Sequence, residues 1–362
     1  MVLGFVTASL VLVILLFTMC NATIPANFVF GDSLVDVGNN NYIVTLSRAN
    51  YAPNGIDFGS PTGRFTNGRT IVDIVCRELG NKNPPPPYLA PTTRGSVILR
   101  GVNYASGGGG ILNSTGKLFG GRINLDEQLD NFGVTRGEII AHVGEMEAAK
   151  LLEKALFSVT IGSNDLINNY FTPVVSSFER KLVPPPVFVD AMISRLRSQL
   201  TRLYEMGGRK IVVTNVGPVG CIPFEREVDL TAGVDRCAAQ PNLMARMYNL
   251  RLRSLVEELN SNLRGATFVY ADVFHIVYDI LENYASYGFA SERTPCCGIA
   301  AGKVGGLIPC GPSSTICTDR SKYVFWDPYH PSDSANLIIA RRLLSGSSDD
   351  VFPFNIRQLV DL

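Results

Sequence analysis

Two short segments at opposite ends of this chain hold the groups that serine nucleophilic chemistry needs. Phe30-Gly31-Asp32-Ser33-Leu34 places a hydroxyl on a glycine-led turn, and Asp327-Pro328-Tyr329-His330-Pro331 places an acid three residues before a histidine. A hydroxyl becomes a useful nucleophile only beside a base, and the base needs a partner that fixes its tautomer. Histidines number 3, at His142, His275 and His330, so candidates for the base are few. His142 falls in a polar helical stretch and His275 follows a strand, which leaves His330 as the base. Pro328 favours a turn that curls Asp327 back toward the imidazole Nδ1, leaving Nε2 for Ser33. Each group also has a plainer reading. Ser33 could simply cap a following helix, whose positive end would favour an oxyanion. Asp327 and His330 could cap the final helix.

Acyl transfer also requires donors for the oxyanion. Asn164, in Gly162-Ser163-Asn164-Asp165, can offer its side-chain amide, and Gly107, in the run Gly107–Gly110, can offer an unobstructed N–H. The Ser33 N–H would be a third donor. Taken alone, the glycine run reads as a flexible loop and Asn164 as a turn cap.

These residues need a scaffold that brings them together. Apolar runs at 28–30, 102–105, 156–161, 210–215 and 266–271 each lead into a turn, mostly glycine-rich. Continuous apolar strands of this kind belong to a parallel sheet covered on both faces. Helical spacing follows Pro184-Pro185-Pro186 and stops at Gly207-Gly208, and recurs from about Pro241 to Asn262 and from Ser332 to Leu344. The alternation predicts a three-layer α/β/α sandwich with a doubly wound parallel sheet. Ligands in such folds bind beyond the carboxyl ends of the strands. Ser33, the Ser106–Gly110 loop and Asn164 each follow a different strand, so one crevice can gather them.

Other function classes are excluded or weakened. The 32 Lys+Arg against 32 Asp+Glu leave no electrostatic footprint for a nucleic-acid partner. The glycine run lacks the Gly-x-Gly-x-x-Gly spacing, there is no phosphate loop, and neither Gly-x-Ser-x-Gly nor His-Glu-x-x-His occurs.

Met1 to Phe17 is almost wholly apolar, and Cys20-Asn21-Ala22 suits a signal peptidase cut after Ala22, although no Lys or Arg precedes the run. The expectation is a signal peptide over 1–22 and a single secreted domain over 23–362, with no stable membrane insertion of the mature chain. An uncleaved anchor would leave no stalk before the strand near Phe28. Of the 8 cysteines, Cys20 lies in the leader and Cys76 in an apolar helical pattern as a free core thiol. Cys221 is expected to pair with Cys237; Cys296, Cys297, Cys310 and Cys317 form two further disulfides of open connectivity. Asn113-Ser114-Thr115 is a glycosylation acceptor, whereas Asn21 straddles the cut.

The chain resembles the plant GDSL esterase/lipase family of SGNH hydrolases from Phe28 to about Leu344. The resemblance is carried by the segments 30–40, 62–69 (Thr-Gly-Arg-Phe-Thr-Asn-Gly-Arg), 101–108, 161–165, 296–298 and 323–332. It implies a flavodoxin-like fold, Ser33 as nucleophile, His330 as base, Asp327 as its orienter, and Gly107 and Asn164 as oxyanion donors. Gly108 replaces Gly107 if the loop register differs by one. Asp36 and Asn39 are assigned to holding the nucleophile turn. The implied activity is hydrolysis of carboxylic esters through an acyl-serine, without a cofactor, outside the cell in the apoplast or wall. The alternative is transfer of the acyl group to a sugar, polyol or polyester hydroxyl. Acyl lipids, polysaccharide esters and small-molecule esters all remain open as substrates.

Overall fold

Four runs rich in β-branched and aromatic residues build the central sheet. The computed structural model describes residues 24–171, 183–229, 236–299, 305–306 and 309–362. The expected signal peptide, its cut after Ala22, Cys20 and the Asn21 acceptor lie outside the described residues. Strands β1 (Asn27–Gly31), β2 (Leu156–Thr160), β3 (Lys210–Thr214) and β4 (Thr267–Ala271) run parallel in that spatial order. They match the apolar runs to within a residue or two. A two-residue strand at Val351–Phe352 adds antiparallel to β4 and was too short to read from sequence.

The run at 102–105 behaves differently. It lies along the free side of β1, with Val29 N–H donating to Val102 C=O at 3.0 Å and Tyr104 N–H to Val29 C=O at 2.7 Å. Regular pairing stops at single bridges from Asn103 to Val29 and Pro87. Gly101 brings the segment against β1: at φ 105°, a Cβ there would meet Asn27 C=O at 2.0 Å. β1 is thus flanked by the 102–105 segment on one side and β2 on the other. That is the switch point of a flavodoxin-like order, where a crevice opens beyond the strand ends.

Helices cover both faces. One layer holds α1 (Ile71–Glu78), α8 (Asp333–Ser345) and α9 (Ile356–Asp361). The other holds α2 (Leu125–Val143), α4 (Pro185–Glu205) and α6 (Ala239–Asn262), with α3 (Glu145–Lys154) against α2. Two shorter helices, α5 (Pro223–Val228) and α7 (Val273–Glu282), follow β3 and β4. Pro185 and Pro186 suit the first turn of α4, where an N–H has no intrahelical acceptor. Phe28, Phe30, Tyr104, Phe132 and Phe157 are all fully buried and pack, stacked or edge-on, at centroid separations of 5.0–6.0 Å, anchoring β1 in the core.

The disulfides are Cys221–Cys237, as expected, together with Cys296–Cys317 and Cys297–Cys310. Cys76 is free and buried. No helix among the described residues is long and apolar enough to cross a membrane.

Candidate active site

The turn that carries Ser33 is built from the end of β1. A Cβ on Gly31 would meet Thr160 C=O at 2.4 Å and Val35 at 2.5 Å, so only glycine lets β1 pass this close to β2. Asp32 then folds the chain back. Its side chain accepts from Leu34 N–H at 3.0 Å and its carbonyl accepts from Val35 and Asp36 N–H at 3.2 and 3.0 Å. The turn does not continue as an α-helix, so the helix-dipole support expected at Ser33 has no source here. Among the described residues, the Ser33 N–H donates no hydrogen bond within the protein.

His330 Nε2 lies 2.8 Å from Ser33 Oγ. Its Nδ1 lies 2.8 and 2.9 Å from the two Asp327 oxygens. Asp327 Oδ1 also accepts the Tyr329 and His330 N–H groups, both at 2.8 Å, so the same carboxylate that faces the imidazole shapes the turn. Asp327 and His330 are buried, at 4% and 8% exposure, while Ser33 is partly open. Neither other histidine joins them: His142 is exposed on α2, and His275, with 49% of its side chain exposed, lies 3.8 Å from Asp350.

Of the two oxyanion candidates, Asn164 lines the same cavity as Ser33. Its Nδ2 donates to Gly109 C=O at 2.9 Å, and its Oδ1 accepts from Asn168 at 2.6 Å, which fixes the amide and leaves one N–H hydrogen over. Gly107 differs from expectation. Its N–H is turned away to Asp36 Oδ2 at 3.0 Å, and Gly108, not Gly107, lines the cavity. Gly108 takes φ 82°, which glycine adopts without strain, and its N–H has no acceptor among the described residues.

The cavity has a volume of about 330 Å³. Its wall is mainly apolar, with Leu34, Ile167, Val219, Ile222, Val273 and Phe325 among the lining residues. No group of three or more His, Cys, Asp or Glu side chains among the described residues is placed to hold a metal ion.

Residues 28–343 match the sequence profile of the family described as GDSL-like Lipase/Acylhydrolase. The chain belongs to the GDSL lipase family. A GDSL esterase/lipase of Arabidopsis thaliana is 68% identical over 363 residues, covering 99% of this chain and 98% of the relative. Two others from Arabidopsis thaliana are 52% and 51% identical, covering 94% and 93% of this chain and 92% and 88% of their own lengths. As a GDSL esterase/lipase homologue it is an enzyme of the carboxylic ester hydrolase class, acting on small-molecule or lipid esters.

Asp36 and Asn39 hold the Ser33 turn, as their place in the first motif implies, and further residues that brace the site carry no such mark in the sequence. Asp36 Oδ1 accepts from Gly38 and Asn39 N–H, at 2.7 and 2.8 Å, while Oδ2 holds Gly107. Asn39 donates to Asn103 and Ala105 C=O, tying the Ser33 loop to the segment that leads into the glycine loop. The segment 62–69 clamps the histidine turn. The Phe65 ring lies with its centroid 5.1 Å from that of the imidazole, Thr66 donates to Pro331 C=O at 3.1 Å, and Arg69 pairs with Asp333 at 2.7 Å. Behind that turn, Cys296 and Cys297 N–H groups donate to Phe325 and Trp326 C=O, so the disulfide knot braces it. Asp165 accepts from Ile111 and Leu112 N–H and from the Thr115 hydroxyl, fixing the loop that follows the glycines. Burial pushes three of these carboxyls up: Asp32 to about 7, Asp36 and Asp165 to about 6. Hydrogen bonds oppose the shift in each case without cancelling it.

Proposed function

We propose that this GDSL hydrolase cleaves carboxylic esters through an acyl-serine at Ser33, with His330 as general base and acid and Asp327 as its orienter. The observation that carries the reading is the unbroken contact Ser33 Oγ to His330 Nε2 to Asp327, at 2.8 Å per step, in the wall of an apolar cavity. Ser33 Oγ attacks the ester carbon while its proton passes to His330 Nε2. The imidazolium is stabilised by Asp327, and collapse of the tetrahedral adduct expels the alcohol, protonated by His330. Water, deprotonated by His330, then attacks the acyl-serine and releases the carboxylic acid.

The oxyanion is assigned to the Ser33 N–H, the Gly108 N–H and the remaining Asn164 Nδ2 hydrogen. Losing one such donor typically costs about 3 kcal/mol of transition-state stabilisation. Gly107 holds the loop through Asp36 and lends its neighbour's N–H to the cavity. The cavity takes the acyl chain, with room for on the order of ten water-sized groups.

The chain is assigned to the extracellular space, with 1–22 removed and 23–362 folding as one domain. The three disulfides fit an oxidising compartment. Asn113 is exposed and is assigned as a glycan acceptor.

Hydrolysis of p-nitrophenyl butyrate by the mature chain tests the reading. Ser33→Ala should lower kcat by roughly 10⁴-fold or more with melting temperature unchanged. Wild-type-like turnover in that variant would place the nucleophile elsewhere. Amino-terminal sequencing of the secreted protein should begin at Thr23, and Asn113→Gln should remove one glycan from its mass.

A further inference from the structure

The segment after the nucleophile turn presents an unusual face to water. Tyr42, Val44 and Leu46 are 50%, 90% and 80% exposed, while Ile43 and Thr45 between them are partly covered. Tyr42 closes a 3₁₀ turn, Asn39–Tyr42, and Val44 and Leu46 flank a single antiparallel bridge at Thr45, so three large, mainly apolar side chains face water along one short edge. Leu118, 41% exposed, stands on the adjoining loop.

This face is held in place. Leu46 N–H donates to Phe119 C=O at 2.8 Å and Gly121 N–H to Val44 C=O at 2.9 Å, pairing the two loops antiparallel at Thr45 and Gly120. The Arg48 guanidinium donates to Ile43 C=O. Asn40 donates to both Ser47 C=O and Gly107 C=O, coupling the base of the segment to the glycine loop. The apolar side chains are therefore fixed outward by a bonded frame.

We propose that the edge formed by Tyr42, Val44, Leu46 and Leu118 is the surface on which an aggregated long-chain ester docks before one molecule enters the cavity. The inference rests on the assignment of that cavity as the esterase site. Continuity chooses the occupant: Leu46 and Leu118 are at once exposed and part of the cavity lining, so an apolar chain passes from edge to cavity without crossing water. Charge agrees. Residues 37–48 and 113–122 contain Arg48, Lys117 and Arg122 and no acid, which suits an ester surface that accumulates carboxylate product.

The test uses the full mature chain with Ser33→Ala, so that the ester is not consumed, and triolein droplets as the probe. Ser33→Ala protein should co-sediment with the droplets. Adding Tyr42→Ser and Val44→Ser should lower the partition constant by about tenfold or more, since each apolar side chain removed from water contributes on that scale. Neither residue lines the cavity, so Tyr42→Ser/Val44→Ser with Ser33 intact should turn over dissolved p-nitrophenyl acetate within about twofold of wild type. Unchanged partition would overturn the proposal. So would a variant that binds droplets normally but loses a dimer, because the edge would then be a self-association face. Loss of partition in a protein whose wild type hydrolyses no ester would leave the docking surface standing and remove the esterase reading instead.

Discussion

Asp32, beside Ser33, gives the most quantitative test of how the site is built. It is buried to 1% exposure; Oδ1 accepts from Leu34, and Oδ2 has no hydrogen-bond partner within the protein among the described residues. Burial raises its pKa from 3.8 to about 7, a shift countered by the Leu34 N–H and His330 and reinforced by Asp165. The unfolded chain releases this proton near 3.8 while the folded chain keeps it until about 7. Between those values the folded state binds more protons, so stability is full below the lower value and declines as pH rises through the upper one. A shift near three units corresponds to at most about 4 kcal/mol. With an unfolding entropy of roughly 0.7 kcal/mol/K for a chain this size, that is about 6 °C in Tm.

Asp32→Asn keeps the bond to Leu34 and removes the titration. Its new amide donor faces the site of Oδ2 and costs a constant amount at every pH, so the informative quantity is the change in ΔTm between pH 4.5 and pH 8. That change should be several degrees in favour of the variant at the higher pH, by thermal denaturation of the mature, oxidised protein. Parallel Tm–pH curves for the two proteins would refute the reasoning, because they would mean that Asp32 does not enter the folded state carrying its burial penalty.

Asp327→Asn should cut kcat by roughly 10⁴-fold with KM little changed, because the imidazole loses the acceptor that fixes its tautomer. Steady-state kinetics on a soluble ester check it, and a silent substitution would remove the orienting role. Asp36→Asn replaces a carboxylate that holds three N–H groups, setting donor against donor at one of them. It should destabilise by about 2 kcal/mol and lower kcat/KM by about tenfold to a hundredfold through displacement of Gly107 and Gly108. Val277→Trp, from the α7 side of the cavity lining, should depress kcat/KM for decanoyl esters at least tenfold more than for acetyl esters. Equal losses would show that the acyl chain does not lie there.

The contact of Ser33, His330 and Asp327 was more legible in the sequence than the residues that hold it. β1 to β4 could be read because continuous apolar runs that each lead into a turn are the mark of a parallel sheet covered on both faces. The pairing of Cys221 with Cys237 was visible because the two bracket one short loop. The four clustered cysteines were not separable, since their pairing is set by the chain reversals around Trp326, which they enclose with Cys296–Cys317 and Cys297–Cys310. The glycine register could not be fixed either. Gly107 and Gly108 are equivalent in sequence, and what distinguishes them is Asp36 Oδ2 reaching across 71 residues to one N–H and not the other. The turn at Ser33 read as a helix start because serine commonly caps helices; the competing interactions of Asp36 and Asn39 with the glycine loop draw the chain away instead. The segment 62–69 stood out as a motif, but its purpose lies in Thr66 and Arg69 gripping residues about 265 positions later.

Covalent labelling reads the activation of Ser33 by His330 directly. The folded protein, treated with a fluorophosphonate, digested and analysed by peptide mass, should carry one adduct, on the peptide containing Ser33. The adduct should be absent in Ser33→Ala and should form at least a hundredfold more slowly in His330→Ala. An adduct on a different residue, or the same labelling rate without the imidazole, would contradict it.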